Sequence, residues 1–399
     1  MEFISSVTDP AEGGVQYCRN WLLALRFKIN ASLKKWSYGL RKRFLFILFT
    51  ILLLPFLSTT ALAEGEVSRL LKLTLPETLT LCGEEVPLNR EDVRERLELE
   101  MLVVMGNPVQ TTLWLKRMPR FFPIVEAYIE KEGLPTDLKY VSVVESNLRA
   151  DALSSAGASG PWQFMRQTGR MMGLNQRRGE DQRRDWEMST SAALEYLEML
   201  HDEFSSWTLA LAAYNAGRGT IMGAMKSQSE SDYYGLKLSN ETERYLFRIM
   251  AVKLLSEEPE RYGIDLEGAI CYEPRDIVPV ELVVERRAMP LAAIADAAGV
   301  SYRYLTELNP WMTGSDLPKG SYKLMLPTSG SEPFAARLDA WEGANPEPEF
   351  ITHKVKKGDN LYKIAKKYAV NLSSLLATNG LKKKSVIHPG QKLLVPSSD

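Results

Sequence analysis

The 399-residue sequence has only three histidines (His201, His353, His388) and three cysteines (Cys18, Cys82, Cys271). None falls in a CxxC, HExxH or paired Cys/His spacing, which argues against a zinc site. A Ser-His-Asp or Cys-His mechanism would have to recruit one of those scattered histidines, so carboxylates are the better candidates for acid–base work. No cofactor or metal is expected. Charge of one sign is also missing: 49 Lys+Arg stand against 50 Asp+Glu, which removes any whole-chain argument for nucleic acid as a partner. The 45% apolar and 25% charged composition fits packed globular domains rather than general disorder or a polytopic membrane protein. At this length two or three such domains are expected.

The most apolar stretch, Phe44 to Leu57, is short of the ~20 residues that span a bilayer. It follows Arg41-Lys42-Arg43 and precedes Ala61-Leu62-Ala63, the charged, apolar and small-residue order of a secretory signal peptide over residues 1–63. An uncleaved membrane anchor is the alternative. The leader ahead of the run is far longer than an ordinary charged n-region, and a start codon assigned too far upstream would account for it. No cysteine follows the run, so a lipid anchor is not supported. The expected location is the periplasm. Cleavage would leave Cys82 and Cys271 in an oxidising compartment, where they could form a disulfide or remain two thiols.

Apolar residues recur at helical spacing over 89–105, 122–148, 190–204 and 241–255, so residues from about 85 to 265 read as all-α. Gly133-Leu134-Pro135 interrupts the second stretch, and Thr136 or Asp137 could cap its restart. Beyond Ile277 the pattern changes and repeats. Leu291, Ile294, Ala295, Val300, Leu305 and Asn309 recur 70 residues later as Leu361, Ile364, Ala365, Val370, Leu375 and Asn379. Each set precedes a strand closed by proline, which predicts two strand–helix–helix–strand modules over 276–327 and 351–397. The Pro- and Gly-bearing stretch 328–350 reads as a linker between them.

Glu145 ends a strongly apolar helix beside Val141, Val143, Val144 and Leu148. A lone glutamate on such a helix usually faces solvent, but in apolar surroundings desolvation favours its neutral, proton-donating form. After it comes Ser154-Ser155-Ala156-Gly157-Ala158-Ser159-Gly160-Pro161-Trp162-Gln163-Phe164-Met165. Two glycines allow a tight backbone excursion toward a ligand. Trp162 and Phe164 offer apolar faces and Gln163 an amide, the mixture a carbohydrate groove uses. Ala213-Tyr214-Asn215-Ala216-Gly217 adds a second aromatic hydroxyl and amide where a helix ends.

Together Glu145-Ser146, the Gly157–Gly160 loop, Gln163 and the Ala213–Gly217 motif resemble the soluble-lytic-transglycosylase catalytic domain, goose-type lysozyme-like, of family 23 glycoside hydrolases, over residues 124–255. The resemblance implies a mainly α lysozyme-like catalytic domain, spanning about 64–275, with Glu145 as its single acid/base. It also implies that Ser146, Ser154, Gln163 and Met165 line the sugar groove, that Tyr214 and Asn215 face the acid, and that Glu241 and Tyr245 close the site. Pro161-Trp162 and Arg166 depart from the family pattern, where a smaller apolar residue and proline are common.

Residues 351–397 resemble a small α+β LysM peptidoglycan-binding module, in which Gly358, Asp359, Leu361 and Asn379 are expected to serve binding. The first copy resembles a divergent LysM, with Arg286-Arg287-Ala288-Met289 where the Gly-Asp turn should be. From 351 onward ten Lys stand against two Asp, which suits an anionic wall polymer or simply a solvated face. Signal, catalytic domain and LysM in this order are similar to the membrane-bound lytic transglycosylases. The implied partner is the peptidoglycan glycan strand. The implied reaction cleaves the β-1,4 bond between N-acetylmuramic acid and N-acetylglucosamine and closes a 1,6-anhydro ring. The alternatives are a goose-type-lysozyme-like muramidase, which would need further carboxylates in the groove, and a wall-binding protein without activity.

Overall fold

A computed structural model describes residues 70–285, 288–345 and 350–396. The signal segment and the Arg286-Arg287 turn of the sequence reading lie outside the described residues.

Strands β1 (Thr80–Leu81) and β2 (Glu84–Glu85) form a short hairpin ahead of helix α1 (Glu91–Met105). Helix α1 buries Val93, Leu97, Met101 and Val104, one side chain per turn. Helix α2 (Pro108–Glu132) starts fourteen residues before the periodicity suggested, because Pro119 and Pro123 sit inside it and mask the pattern. Asn107 accepts the Gln110 N–H at 3.2 Å to cap its start, and Gly133, at φ +68°, closes its end. The expected cap by Thr136 or Asp137 does not form. A 3-10 turn over Thr136–Leu138 runs directly into α3 (Lys139–Ser146). The Asp137 carboxylate instead accepts the Cys82 N–H at 2.7 Å and Lys253 Nζ at 2.6 Å, tying three segments together.

A short helix α4 (Arg166–Met171) and a hairpin of β3 (Gln176–Arg177) and β4 (Glu180–Asp181) lead to α5 (Trp186–Phe204), α6 (Trp207–Ala216), α7 (Arg218–Gln228) and α8 (Asn240–Glu257). Apart from the two small hairpins, this part is all-α as read. Helix α8 is its axis, packing on α1, α3 and α6 and burying Tyr245, Leu246, Phe247, Ile249 and Met250. The buried Glu100 of α1 holds Arg244 and Arg248 of α8, which fixes their rotation relative to each other.

In the first repeat, β5 (Ile277–Val284) pairs antiparallel with β8 (Gly320–Pro327), from Ile277↔Pro327 to Val284↔Gly320. Between them lie α9 (Leu291–Ala297) and α10 (Tyr302–Leu308), with a small ladder of β6 (Met289–Pro290) and β7 (Asp316–Leu317). The second repeat has the same plan: β9 (Phe350–Lys354), α13 (Leu361–Lys367), α14 (Leu372–Thr378) and β10 (Lys392–Pro396), labelled after two helices that separate the modules. Those two, α11 (Thr328–Ser331) and α12 (Phe334–Ala344), overturn the linker reading of 328–350. Phe334 and Leu338 are buried in the same core cluster as Ile294 and Leu324, so the first module extends to about residue 344. Each buried side chain adds about 1.5–3 kcal/mol. The misreading came from Gly and Pro, which here end up in and around helices.

The first module is docked on the β3–β4 hairpin. Asp181 N–H donates to the Trp311 carbonyl at 2.8 Å, Thr313 N–H to the Gly179 carbonyl at 3.1 Å, and Lys323 pairs with Glu187 at 2.7 Å. Cys82 and Cys271 are free thiols, so the disulfide alternative is not realised. Among the described residues no helix is long and apolar enough to cross a membrane.

Candidate active site

Glu145 is the penultimate residue of α3, whose Tyr140, Val141 and Val143 face the core. The chain leaves the helix through Asn147 and Leu148, both at φ +57°, a strained exit for non-glycine residues. Two donors hold it there. Trp114 Nε1–H donates to Asn147 Oδ1 and the Arg117 guanidinium to the Asn147 carbonyl, each at 2.8 Å. The carboxyl is thereby fixed against α8, where the buried Tyr245 hydroxyl donates to Glu145 Oε1 at 2.5 Å.

Burial raises the Glu145 pKa to about 7. The Tyr245 hydrogen bond and Arg248 pull it down, and Glu241, exposed in the first turn of α8, pushes it up. A carboxyl poised at this value exchanges a proton readily in both directions near neutral pH. Asp151, the other acid close in sequence, is exposed and paired with Arg149 at 3.1 Å, which lowers its pKa. It has the opposite disposition to a proton donor.

The glycine loop forms the neighbouring wall. Ser154 accepts the Ala158 N–H at 3.0 Å, and Ser159 bridges to Leu153 and Phe164. Gly160 lies at φ +88°, and a Cβ there would stand 1.7 Å from the Arg183 carbonyl oxygen, so no other residue fits. Gln163, at φ +48°, donates its amide N–H₂ to the Gly160 and Ala152 carbonyls at 2.8 and 3.3 Å. Both partners are acceptors, which assigns the nitrogen inward.

Trp162 and Phe164 do not present sugar-stacking faces. Both are buried, and Trp162 Nε1–H donates to Thr190 Oγ1 at 2.9 Å, because this loop needs its own anchor on α5. The exposed apolar groups beside them are Leu153 and Met165, 62% and 46% accessible. Tyr214 donates its hydroxyl to the Trp162 carbonyl at 2.7 Å and meets Phe164 edge-on, so it holds the loop, while its environment includes the Glu145 charge. The half-buried Asn215 carboxamide makes no hydrogen bond among the described residues. Ser146 was expected in the groove and is instead buried, donating to the Ser142 carbonyl at 3.0 Å and accepting the Arg149 N–H at 3.2 Å. Helix geometry turns it away from the face that carries Glu145.

Sequence reasoning missed the organiser of the loop. Arg183 is buried, paired with Asp181 at 2.7 Å, and donates to the Gly157 and Phe164 carbonyls, each at 2.9 Å. A single guanidinium thus ties the two ends of the glycine turn to the β3–β4 hairpin. Nothing local in Gln182-Arg183-Arg184 distinguishes it from a surface charge run. No group of three or more His, Cys, Asp and Glu side chains able to hold a metal occurs among the described residues.

In the second repeat the expected binding residues are largely structural. Leu361 is in the module core. Asn379 donates to the Leu375 and Leu394 carbonyls at 2.8 and 2.7 Å and accepts the Leu394 N–H at 2.8 Å, pinning α14 to β10. Asn309 makes the same three bonds in the first repeat, to Leu305 and Met325. Only Gly358, at φ +92°, and Asp359 stand at a surface turn, where Asp359 accepts the Lys356 N–H at 2.7 Å and contacts His353.

Residues 123–236 match the family described as Transglycosylase SLT domain, 280–343 the Lytic transglycosylase MltD, LysM-like domain, and 353–396 the LysM domain. The chain is 31% identical over 286 residues to membrane-bound lytic murein transglycosylase D of Escherichia coli K12, covering 68% of this chain and 62% of that protein; the relative from strain O6:H1 gives the same values. The chain therefore spans less than two thirds of the length of the curated relatives it matches. The 70 kDa soluble lytic transglycosylase of Escherichia coli overlaps it with a TM-score of 0.32 at 20% identity, over 43% of this chain and 30% of that one. The chain carries a transglycosylase SLT domain, followed by a LysM-like domain of the MltD type and a LysM domain.

Proposed function

We propose that this protein is a peptidoglycan lytic transglycosylase of the cell envelope. It would cleave the β-1,4 bond between N-acetylmuramic acid and N-acetylglucosamine without water and leave 1,6-anhydromuramoyl ends. The observation that carries this reading is Glu145: a carboxyl with a pKa near 7, hydrogen-bonded to Tyr245, with its nearest acidic neighbour in sequence, Asp151, occupied by Arg149.

An ordinary glycosidase divides acid and base or nucleophile between two carboxylates. A single group suffices when the attacking hydroxyl belongs to the sugar. Protonated Glu145 gives its proton to the glycosidic oxygen as the C1–O bond breaks. The resulting carboxylate, steadied by the Tyr245 hydroxyl, then takes the proton of the C6 hydroxyl as that oxygen closes on C1. Glu145 returns to its starting state, and no water enters the balance. The Gln163 amide oxygen and the Asn215 carboxamide are available to hold the sugar and its acetamido group, with Ser154, Met165 and Glu241 at the groove margin. The periplasm is the compartment this substrate requires. The LysM module would keep the enzyme on its polymer, raising local concentration.

Glu145→Gln keeps the shape and removes the proton exchange. Release of soluble fragments from purified sacculi should fall by about 10²–10⁴-fold or more. Unchanged release would remove Glu145 from the mechanism. A chelator should have no effect on the wild-type rate.

A further inference from the structure

A cavity of about 1140 Å³ lies between the SLT domain and the docked LysM-like module, adjoining the glycine loop through Arg184. Its walls come from α2, α5 and the segment after α3 on one side, and from the 272–277 segment, α10 and β8 on the other. It is large for a compact small-molecule pocket, which holds about 300–1,000 Å³, and suits a length of polymer.

The charges on these walls are unevenly matched. Each carboxylate has a partner: Asp151 pairs with Arg149 at 3.1 Å, Glu187 with Lys323 at 2.7 Å, Glu307 with Arg303 at 2.9 Å, and Glu180 with Arg177. Asp185 caps α5 by accepting the Met188 N–H at 2.8 Å. Two half-buried guanidinia, Arg117 and Arg120, have no carboxylate among the described residues, and Arg184 shares Asp151 with Arg149. Arg117 donates only to the Asn147 carbonyl, Arg120 to the Glu273 carbonyl and Arg184 to the Ser159 hydroxyl. Arg275 stands close enough to Arg120 to repel it, and reaches Glu307 only at 3.8 Å. Between these arginines the wall is aromatic, with Phe121 stacked on Trp186 at 4.4 Å. Spaced guanidinia with several unused N–H donors, set in an apolar wall, fit a flexible ligand bearing carboxylates at intervals.

The cleft begins where the catalytic helix ends. Arg149 lines it four residues after Glu145, so the two Cα atoms are at most about 14 Å apart, and an extended peptide of four or five residues covers that span at ~3.3–3.6 Å per residue. We infer that this cleft binds the carboxylate-bearing peptide attached to the muramoyl residue whose bond Glu145 cleaves. The inference rests on the function proposed above. It makes the LysM-like module part of the substrate site rather than a separate wall anchor.

The test uses the intact protein and two synthetic stem tetrapeptides, one with free carboxylates and one with them amidated, titrated by calorimetry. The free peptide should bind, and amidation should weaken it by tenfold or more. The Arg120→Ala/Arg275→Ala variant should lose tenfold or more for the free peptide while cleaving peptide-free glycan strands at the wild-type rate. Equal affinity for both peptides, no binding of either, or a folded variant with unchanged affinity would overturn the inference. If the double variant does not fold, Arg120→Ala alone is titrated in its place, because the Lys-rich LysM module would also favour a free carboxylate over an amide and the wild-type comparison alone does not locate the site. Cleavage of peptide-free strands reads the active site alone. A protein that discriminates the peptides but leaves those strands intact would refute the proposed function and not the cleft.

Discussion

Tyr245→Phe isolates the one hydrogen bond that holds the Glu145 carboxylate among the described residues. The hydroxyl donates at 2.5 Å and lowers a pKa that burial has raised to about 7. A hydrogen bond to a charged group contributes about 1.5–3 kcal/mol. Part of that survives in the neutral acid, so the differential effect is roughly 1–2 kcal/mol, or about one pH unit at 1.36 kcal/mol per unit. Removal should therefore shift the alkaline limb of kcat/KM upward by about one pH unit, because more Glu145 stays protonated. The maximum rate should fall about tenfold, because without that hydrogen bond the carboxylate formed is less stabilised and Glu145 is a weaker acid toward the glycosidic oxygen. Fragment release from sacculi measured between pH 5 and 9 gives both quantities. An alkaline limb that stays in place, or moves to lower pH, would refute the assignment of that limb to Glu145.

Other consequences follow from the same contacts. The raised Glu145 pKa means that the folded state binds more protons than the unfolded chain, so stability present below pH 4.5 is lost as pH rises through about 7. Glu145→Gln, free of this cost, should be more stable than wild type above pH 8, by about 3 kcal/mol at most, as thermal melts at pH 5 and 8 would show; equal differences at the two pH values would contradict it. Gly160→Ala drives a Cβ into the Arg183 carbonyl at a positive φ. It should remove most activity and lower stability by about 2–4 kcal/mol, with the loop's protection from hydrogen exchange lost first. Asn379→Ala deletes three bonds between α14 and β10. It should destabilise the LysM module by about 2–3 kcal/mol, so weaker sacculus binding should track unfolding rather than loss of a ligand contact; full binding with unchanged melting would sink that reading.

Much of the architecture was legible because its signals are periodic. The offset between Leu291 and Leu361 and its companions marks core positions of one fold used twice, and the structure puts both sets in equivalent cores. Asn309 and Asn379 were visible as a repeat, but their role was not, since a hydrogen-bond staple leaves no pattern except identity. Helix α2 was half hidden by Pro119 and Pro123, whose cost its tertiary packing covers. The reading of 328–350 failed for the opposite reason: Gly and Pro suggested a linker, while Phe334 and Leu338 found a core to fill.

Glu145 was singled out from its apolar neighbours and the loop after it, and its burial against Tyr245 is the feature on which its proposed role rests. Its partners were less legible. Tyr245 lies 100 residues away and became a candidate only through family resemblance, while Arg183 looked like any charged surface residue. Trp162 and Phe164 were expected to offer exposed faces and are instead buried within their loop. Aromatic identity says nothing of the direction a side chain takes from a turn.

The central claim is that Glu145 acts alone and that the sugar's own hydroxyl replaces water. Mass spectrometry of the fragments released from purified sacculi tests it most directly. Products about 18 Da lighter than their hydrolysed counterparts, with no reducing muramic end, are the result predicted for intramolecular attack. Reducing muramic ends would mean that water is the nucleophile and would contradict the single-carboxyl account.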